Sequence, residues 1–241
     1  MKASKVMINF LFPPRCAICD KVIDVKGPHI CDKCRPFLSK LEEPRCYKCG
    51  NELSQEEDEY CRGCLENERS YIKGFPVYKY KPPLQDSLMA FKYHGKQENA
   101  EFYAEEIYAE YGKTFRELGI QALIPVPIHR RKYITRGYNQ AGLIAAELGE
   151  KLGIPVLEEL LTRDTYTEPQ KNLNYEKREH NLKGAFSANE RILEKTEVPE
   201  IALLVDDIYT TGATIQICTK VCMEIGIQKV YYTSVACGSG A

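Results

Sequence analysis

The chain has 241 residues, enough for one large domain or two smaller ones, and its 44% hydrophobic content suits a buried core. No stretch is apolar for long enough to span a bilayer, and a net charge of −1 excludes a global polycation, so any nucleic-acid contact has to be local. The opening residues, MKASKVMINFLFPPRC, hold one brief apolar patch and no small-residue cleavage site, which argues against a secretory signal and for a cytoplasmic setting.

Eight of the eleven cysteines fall between Cys16 and Cys64. They form four C-x-x-C pairs, Cys16/Cys19, Cys31/Cys34, Cys46/Cys49 and Cys61/Cys64, whose first members stand 15 residues apart, the mark of an internal duplication. Two residues between thiols let a tight turn aim both sulfurs at one ion, and two such turns complete a tetrahedral zinc site. Eight thiols therefore imply two structural zinc ions with closed coordination spheres. Sequential pairing of the turns is the more economical arrangement, and a cross-braced one satisfies the spacing equally. The intervening stretches are poor in apolar residues, so metal is expected to supply most of the folding energy. Residues 1–75 carry 13 Lys plus Arg against 12 Asp plus Glu, and the thiolates add negative charge at each ion. That balance favours a protein contact over general DNA binding. His29 lies inside a metal loop and is superfluous beside four thiols.

Composition changes near residue 75, which divides the chain into a zinc-binding double ribbon module, 1–75, and an α/β domain, 76–241. Beyond GFPVYKYKPP, the stretch ENAEFYAEEIYAEYGKTF places Phe102, Ile107 and Tyr111 at helical spacing. QALIPVPI reads as a buried strand running into prolines, and the basic turn after it holds His129, Arg130, Arg131, Lys132 and Arg136. NQAGLIAAELGEKLGI reads as a helix capped by Asn139, and PVLEELLTR as a further strand. RDTYTEPQKNLNYEKREHN, 163–181, is polar and poor in core residues, with His180 as a loop residue. IALLVDD is the clearest strand, TIQICTKVCMEIGI a helix with Cys218 and Cys222 as core thiols, and KVYYTSVAC a last strand that includes Cys237. Such alternation predicts a mostly parallel sheet flanked by helices, with ligands at the carboxyl ends of its strands.

That rule puts Asp206 and Asp207 at the ligand edge. Tyr209 to Thr214 are expected to form the turn into the next helix, with hydroxyls from Thr210, Thr211 and Thr214 and close backbone approach at Gly212. Converging amides and the positive end of a helix suit a phosphate. Carboxylates beside that anion site suit a vicinal diol. A phosphate a few ångströms from two hydroxyls describes a ribose 5-phosphate.

The tract LLVDDIYTTGAT resembles the loop of type I phosphoribosyltransferases that binds 5-phosphoribosyl pyrophosphate (PRPP). With LFPPRCAIC, FKYHGK, PVPIHRRKYITRGYNQ and EKREHNLKGAF, it makes the chain similar to the ComF family of competence proteins, in which a zinc module precedes a phosphoribosyltransferase-like domain. The resemblance implies that Asp206 and Asp207, catalytic candidates, hold the ribose hydroxyls, that Thr210, Thr211, Gly212, Ala213 and Thr214 hold the 5-phosphate, and that Ile208 and Tyr209 belong to the same PRPP-binding loop. It places pyrophosphate, with Mg²⁺, at the basic turn, with Arg130, Arg131 and Arg136 as leading candidates. The polar segment then matches a loop that closes over substrate, from which Arg163, Gln170, Lys171 and the catalytic candidate Arg178 reach the phosphates. Lys92, His94 and Lys96 form another basic contact. Two functions follow: transfer of phosphoribosyl to an unidentified acceptor, or a PRPP- or nucleotide-sensing adaptor that docks partners through its zinc module. The family resemblance names a competence helicase and single-stranded DNA as such partners in natural transformation.

Overall fold

A computed structural model describes residues 13–25, 27–55, 57–164 and 184–238. Its strands are β1 (Gly74–Lys79), β2 (Ala122–Pro125), β3 (Leu161–Arg163), β4 (Phe186–Ala188), β5 (Ile201–Tyr209) and β6 (Lys229–Cys237). Its helices are α1 (Arg62–Glu66), α2 (Leu84–Tyr93), α3 (Asn99–Glu117), α4 (Arg130–Arg136), α5 (Gln140–Leu152), α6 (Glu190–Leu193) and α7 (Ala213–Glu224). The main sheet has the order β1–β6–β5–β2 with every neighbouring pair parallel, while β3 and β4 make a separate antiparallel pair.

A parallel strand covered on both faces has to be apolar at successive positions, and Ala202–Val205 of β5 satisfies this. Ala202 and Leu204 face a core shared with α7, including Ile215, Cys218 and Cys222. Leu203 and Val205 face the other core, with Phe91 of α2, Phe102 and Ile107 of α3, and Ile144 and Leu148 of α5. The sheet is thus parallel and flanked by helices, as the alternation of elements predicts.

The cysteine segments are built into this layered core. Cys16, Ala17 and Ile30 of the first ribbon bury against the α2/α3 face, whereas Leu41, Cys46, Cys49, Leu53, Cys61 and Tyr71 bury on the α7 face. The linker between the ribbons runs along the outer edge of β1. The Leu41 amide donates to the Val77 carbonyl at 3.0 Å, and the Lys79 amide to Ser39 at 2.9 Å. Further along, the Gly74 amide donates to Lys48 at 2.8 Å. An otherwise open sheet edge is thereby covered, and the ribbons straddle the sheet. Besides the metal expected to supply most of their folding energy, the ribbons have buried side chains that join the main cores.

Three local expectations change. PVLEELLTR does not form one strand: Val156 makes a single parallel bridge to Leu123, and only Leu161–Arg163 continues as β3. Pro155 and the acids Glu158 and Glu159 leave too short an apolar run. Asn139 is the N-cap of α5, yet its side chain makes no capping bond, because its Nδ2 donates to the Val126 carbonyl at 3.1 Å. The basic turn is a helix, α4, capped by His129, whose Nδ1 accepts from the Arg131 amide at 3.1 Å. Gln170, Lys171, Arg178 and His180 lie outside the described residues.

Candidate functional site

Strand β5 runs two residues past the acids, to Tyr209, so the turn is shorter than the sequence implies and comprises Thr210–Gly212. The register sets the neighbours. Pro125 of β2 pairs with Val205, and Asp206 pairs with Ser234 of β6. The acids therefore project just beyond the end of β2, where the chain turns into basic α4. Gly212 takes φ +77 at the N-cap of α7, and a Cβ there would lie 2.2 Å from the Tyr209 hydroxyl. Only glycine meets both conditions. Asp206 and Ile208 through Ile215 line a cavity of about 60 Å³ at this point, where one water needs roughly 10–15 Å³. The space suits a small anion at the start of a three-turn helix.

The two acids differ in environment. Asp207 is buried and its Oδ2 lies 2.7 Å from Nζ of Lys92, at the C-terminal end of α2. Asp206 Oδ1 accepts from the Asp207 amide at 2.8 Å. Burial and the Asp207 carboxylate push the Asp206 carboxyl well above the usual carboxylate range, against the pull of Lys92. Burial opposes the Lys92 ammonium, but Asp207 and then Asp206 outweigh it, and its affinity for the proton rises.

Cations gather opposite the acids. Burial, then Arg163, Arg136 and Lys92, push Lys132 down to about 8, with Asp207 pulling the other way. Burial also lowers Arg163, which lies over the Phe186 ring at 5.0 Å and feels the charge of Asp206. Arg136 donates to Gln140 Oε1 at 2.8 Å and to the Tyr93 hydroxyl at 3.1 Å. Arg130 and Arg131 stand exposed on α4. Of the FKYHGK candidates only Lys92 meets the acids: Lys96 pairs with Asp20 of the first ribbon at 2.5 Å, and His94 is exposed. Tyr209 lines the small cavity from beneath, with its ring buried and its hydroxyl 2.8 Å from that of Tyr71. The segment Arg69–Tyr71, which underlies the turn, carries no motif that marks it in the sequence.

The thiols gather sequentially, Cys16, Cys19, Cys31 and Cys34 in one group and Cys46, Cys49, Cys61 and Cys64 in the other, each with its sulfurs within 4.8 Å of one another. Tetrahedral zinc with bonds of about 2.3 Å places its sulfurs roughly 3.8 Å apart. Cys19 and Cys31 stand at 3.8 Å, and Cys49 and Cys61 at 3.6 Å. Both groups fit zinc, which resolves the pairing in favour of the sequential one. His29 is not a ligand in either group. Its Nε2 reaches Glu101 at 3.3 Å and Glu105 at 3.6 Å, joining the first ribbon to α3.

Comparison with known proteins bears on both parts of the chain. The family model described as a double zinc ribbon domain matches residues 7–65. Competence protein F of Haemophilus influenzae is 31% identical over 234 residues, spanning 95% of this chain and 99% of that protein. The chain belongs to the Competence protein F family. Relatives of the family that it also matches include DNA utilization protein YhgH of Escherichia coli, 26% identical over 90% of this chain and 94% of that one. Competence protein ComFC of Bacillus subtilis is 28% identical over 82% and 79%. A solved purine phosphoribosyltransferase from Pyrococcus horikoshii aligns with a TM-score of 0.32 and 14% identity over 56% of this chain and 83% of that one, too distant a likeness to carry an argument. Among the described residues, no helix is long and apolar enough to cross a membrane.

Proposed function

We propose that this Competence protein F family member binds PRPP at the carboxyl edge of its sheet and transfers the phosphoribosyl group to an acceptor. Asp206 and Asp207 accept hydrogen bonds from the ribose hydroxyls. The amides and hydroxyls of Ile208 through Thr214 hold the 5-phosphate. Arg130, Arg131 and Arg136 of α4, with Lys132 and Arg163 beside them, face the pyrophosphate; Arg178, a further candidate for it, lies outside the described residues. Magnesium, when bound with PRPP, supplies charge that stabilises the departing pyrophosphate. In the reaction, the bond from the anomeric carbon to pyrophosphate breaks with its electron pair leaving on oxygen. A bond from the acceptor forms at that carbon, and the acceptor gives up its proton. The cations take up the charge that develops on the leaving group.

The observation that carries this reading is the single corner in which two acids lie near the carboxyl end of β5, Gly212 opens α7, and Lys92, Lys132, Arg136 and Arg163 gather about them. Calorimetry with PRPP and Mg²⁺ tests it, and a wild-type protein that gives no heat at millimolar ligand refutes it. Pyrophosphate release across a panel of nucleobases and amines then tests transfer.

A second reading makes the domain a non-catalytic PRPP or nucleotide sensor. The ion pair that already occupies Asp207 favours it. The names of the relatives, competence and DNA utilization, support a role in natural transformation; a cytoplasmic setting and a helicase or single-stranded DNA engaged through the zinc module belong to this proposal. Substituting Asp206 and Asp207 by Asn separates the readings. Transformation that survives the loss of PRPP binding assigns the nucleotide site another role.

A further inference from the structure

The two zinc ribbons make different contacts. The first is joined to α2 and α3: Ser87 Oγ donates to the Ala17 carbonyl at 2.5 Å, Lys96 pairs with Asp20 at 2.5 Å, and Arg35 with Glu106 at 3.2 Å. The second is joined to the turn that forms the anion site. One guanidinium nitrogen of buried Arg69, Nη2, donates both to the Gly63 carbonyl at 3.3 Å and to the Thr211 carbonyl at 2.8 Å. Gly63 lies between the metal ligands Cys61 and Cys64, and Thr211 lies in the turn itself.

Two more connections run in parallel. The Ser70 amide donates to Gln216 Oε1 at 2.8 Å, and Gln216 Nε2 returns a bond to Ser70 Oγ at 2.9 Å, which fixes the first turn of α7. The Tyr209 ring stacks on Tyr232 with centroids 4.8 Å apart, and the Tyr232 hydroxyl donates to the carbonyl of Cys49, another ligand, at 2.7 Å. Tyr71, Tyr209, Gln216 and Tyr232 are all at most 2% exposed and Ser70 is partly buried, so these bonds are largely withdrawn from bulk water. A turn of hydroxyl residues around one glycine has little rigidity of its own, and its amides converge on an anion only while something holds the carbonyls behind them.

We infer that Arg69 is a positioning residue, and that through it the second zinc ribbon, unlike the first, holds Thr210–Thr214 in the anion-binding geometry. Metal in the second site and anion in the turn then favour the same conformation, and each strengthens the other by the same factor. The inference rests on the reading of the turn as a phosphate cradle, but its first test needs no ligand.

That test is amide hydrogen exchange across residues 201–216 in the zinc-loaded full chain. Arg69→Met keeps the aliphatic stem and removes the bridging donor. Exchange of the turn is expected to quicken about tenfold, the worth of one such bond. Arg69→Lys, which retains a donor, recovers part of the protection. Tyr71→Phe supplies a milder break should Arg69→Met load less than two zinc ions. Arg35→Met, on a half-exposed contact of the first ribbon, stays within about twofold of wild type. Unchanged exchange in both Arg69→Met and Tyr71→Phe overturns the inference, whatever the ligand. PRPP binding by wild type, measured in parallel, tests the phosphoribosyl reading separately. Where wild type binds, Arg69→Met is expected to bind about tenfold more weakly with both zinc ions retained, and equal affinity likewise overturns the inference.

Discussion

The ion pair between Lys92 and Asp207 is the interaction on which the acid pair most depends, and Lys92→Met exposes its magnitude. At 2.7 Å, with side chains 18% and 10% exposed, the pair is mostly withdrawn from water. At an effective dielectric of about 20, the attraction is about 6 kcal/mol before the loss of hydration is set against it. Removing one partner of such a pair leaves the other charge buried alone and typically destabilises by about 3–5 kcal/mol. In Lys92→Met the stranded charges are two adjacent carboxylates, so the penalty falls as one takes up a proton. The expected loss is therefore about 3–5 kcal/mol at pH 8 and smaller at pH 5.5, where Asp206 is protonated and one stranded carboxylate charge remains instead of two. Adding Asp207→Asn removes the second charge and recovers most of the loss at pH 8. Urea unfolding of the zinc-loaded chain, followed at both pH values by far-ultraviolet circular dichroism, gives the midpoints and slopes. The argument is refuted if Lys92→Met unfolds at the wild-type midpoint at pH 8, or if the double variant is less stable than the single one.

Four other outcomes are expected. Gly212→Ala combines φ +77 with a Cβ 2.2 Å from the Tyr209 hydroxyl; it lowers stability by about 2 kcal/mol or more and abolishes PRPP binding, as thermal melts and calorimetry would register. The Asp206 carboxyl is raised to about 7 by burial and by Asp207. A diol accepted by the carboxylate then binds more tightly as pH rises through that value, losing about tenfold per unit below it, while Asp206→Asn gives a flat profile. The same raised value acts oppositely on stability without ligand, because from about pH 4 to 7 the folded chain keeps a proton that the unfolded chain has released; stability therefore falls across that window. Metal analysis of the purified protein gives two zinc ions per chain, and Cys46→Ser reduces this to one, since the thiol groups are separate.

Local pattern and long-range placement divide what could be read from the sequence. The C-x-x-C spacing gave the four zinc turns, because each is determined by a handful of consecutive residues, but not their pairing, which the fold decides. IALLVDD and the helical face of Asn99–Glu117 were legible because periodicity and burial agree there. The turn between β5 and α7 was legible from its residue types, although strand pairing with β6 carries β5 to Tyr209 and shortens it. Lys92 was one of three cations in FKYHGK, and only the packing of α2 separates it from Lys96, which turns to Asp20. Arg69 and Tyr71 could not be found this way at all. Their role depends on partners 142 and 138 positions along the chain, and nothing in ENERSYIKGF marks them.

The placement of the ribbons supplies a reason for their presence on so small a sheet. Four parallel strands leave β1 as an edge, and a parallel edge strand needs cover on both faces and along its side. Residues 39–41 pair along that side. The first ribbon packs beside α2 and α3, and the second packs beside α7, which alone would leave Tyr232 and Tyr209 partly uncovered. Gly74 and Gly50 show how closely this is fitted. A Cβ on Gly74 would lie 2.2 Å from the Tyr232 ring, and one on Gly50 would lie 2.5 Å from the Gly74 carbonyl. A zinc turn achieves such an approach with few side chains, because the metal replaces the apolar core that a larger domain would need. Loss of the second ion should therefore disturb more than the ribbon itself, since the aromatic stack that supports the anion turn lies against the carbonyl of one of its ligands.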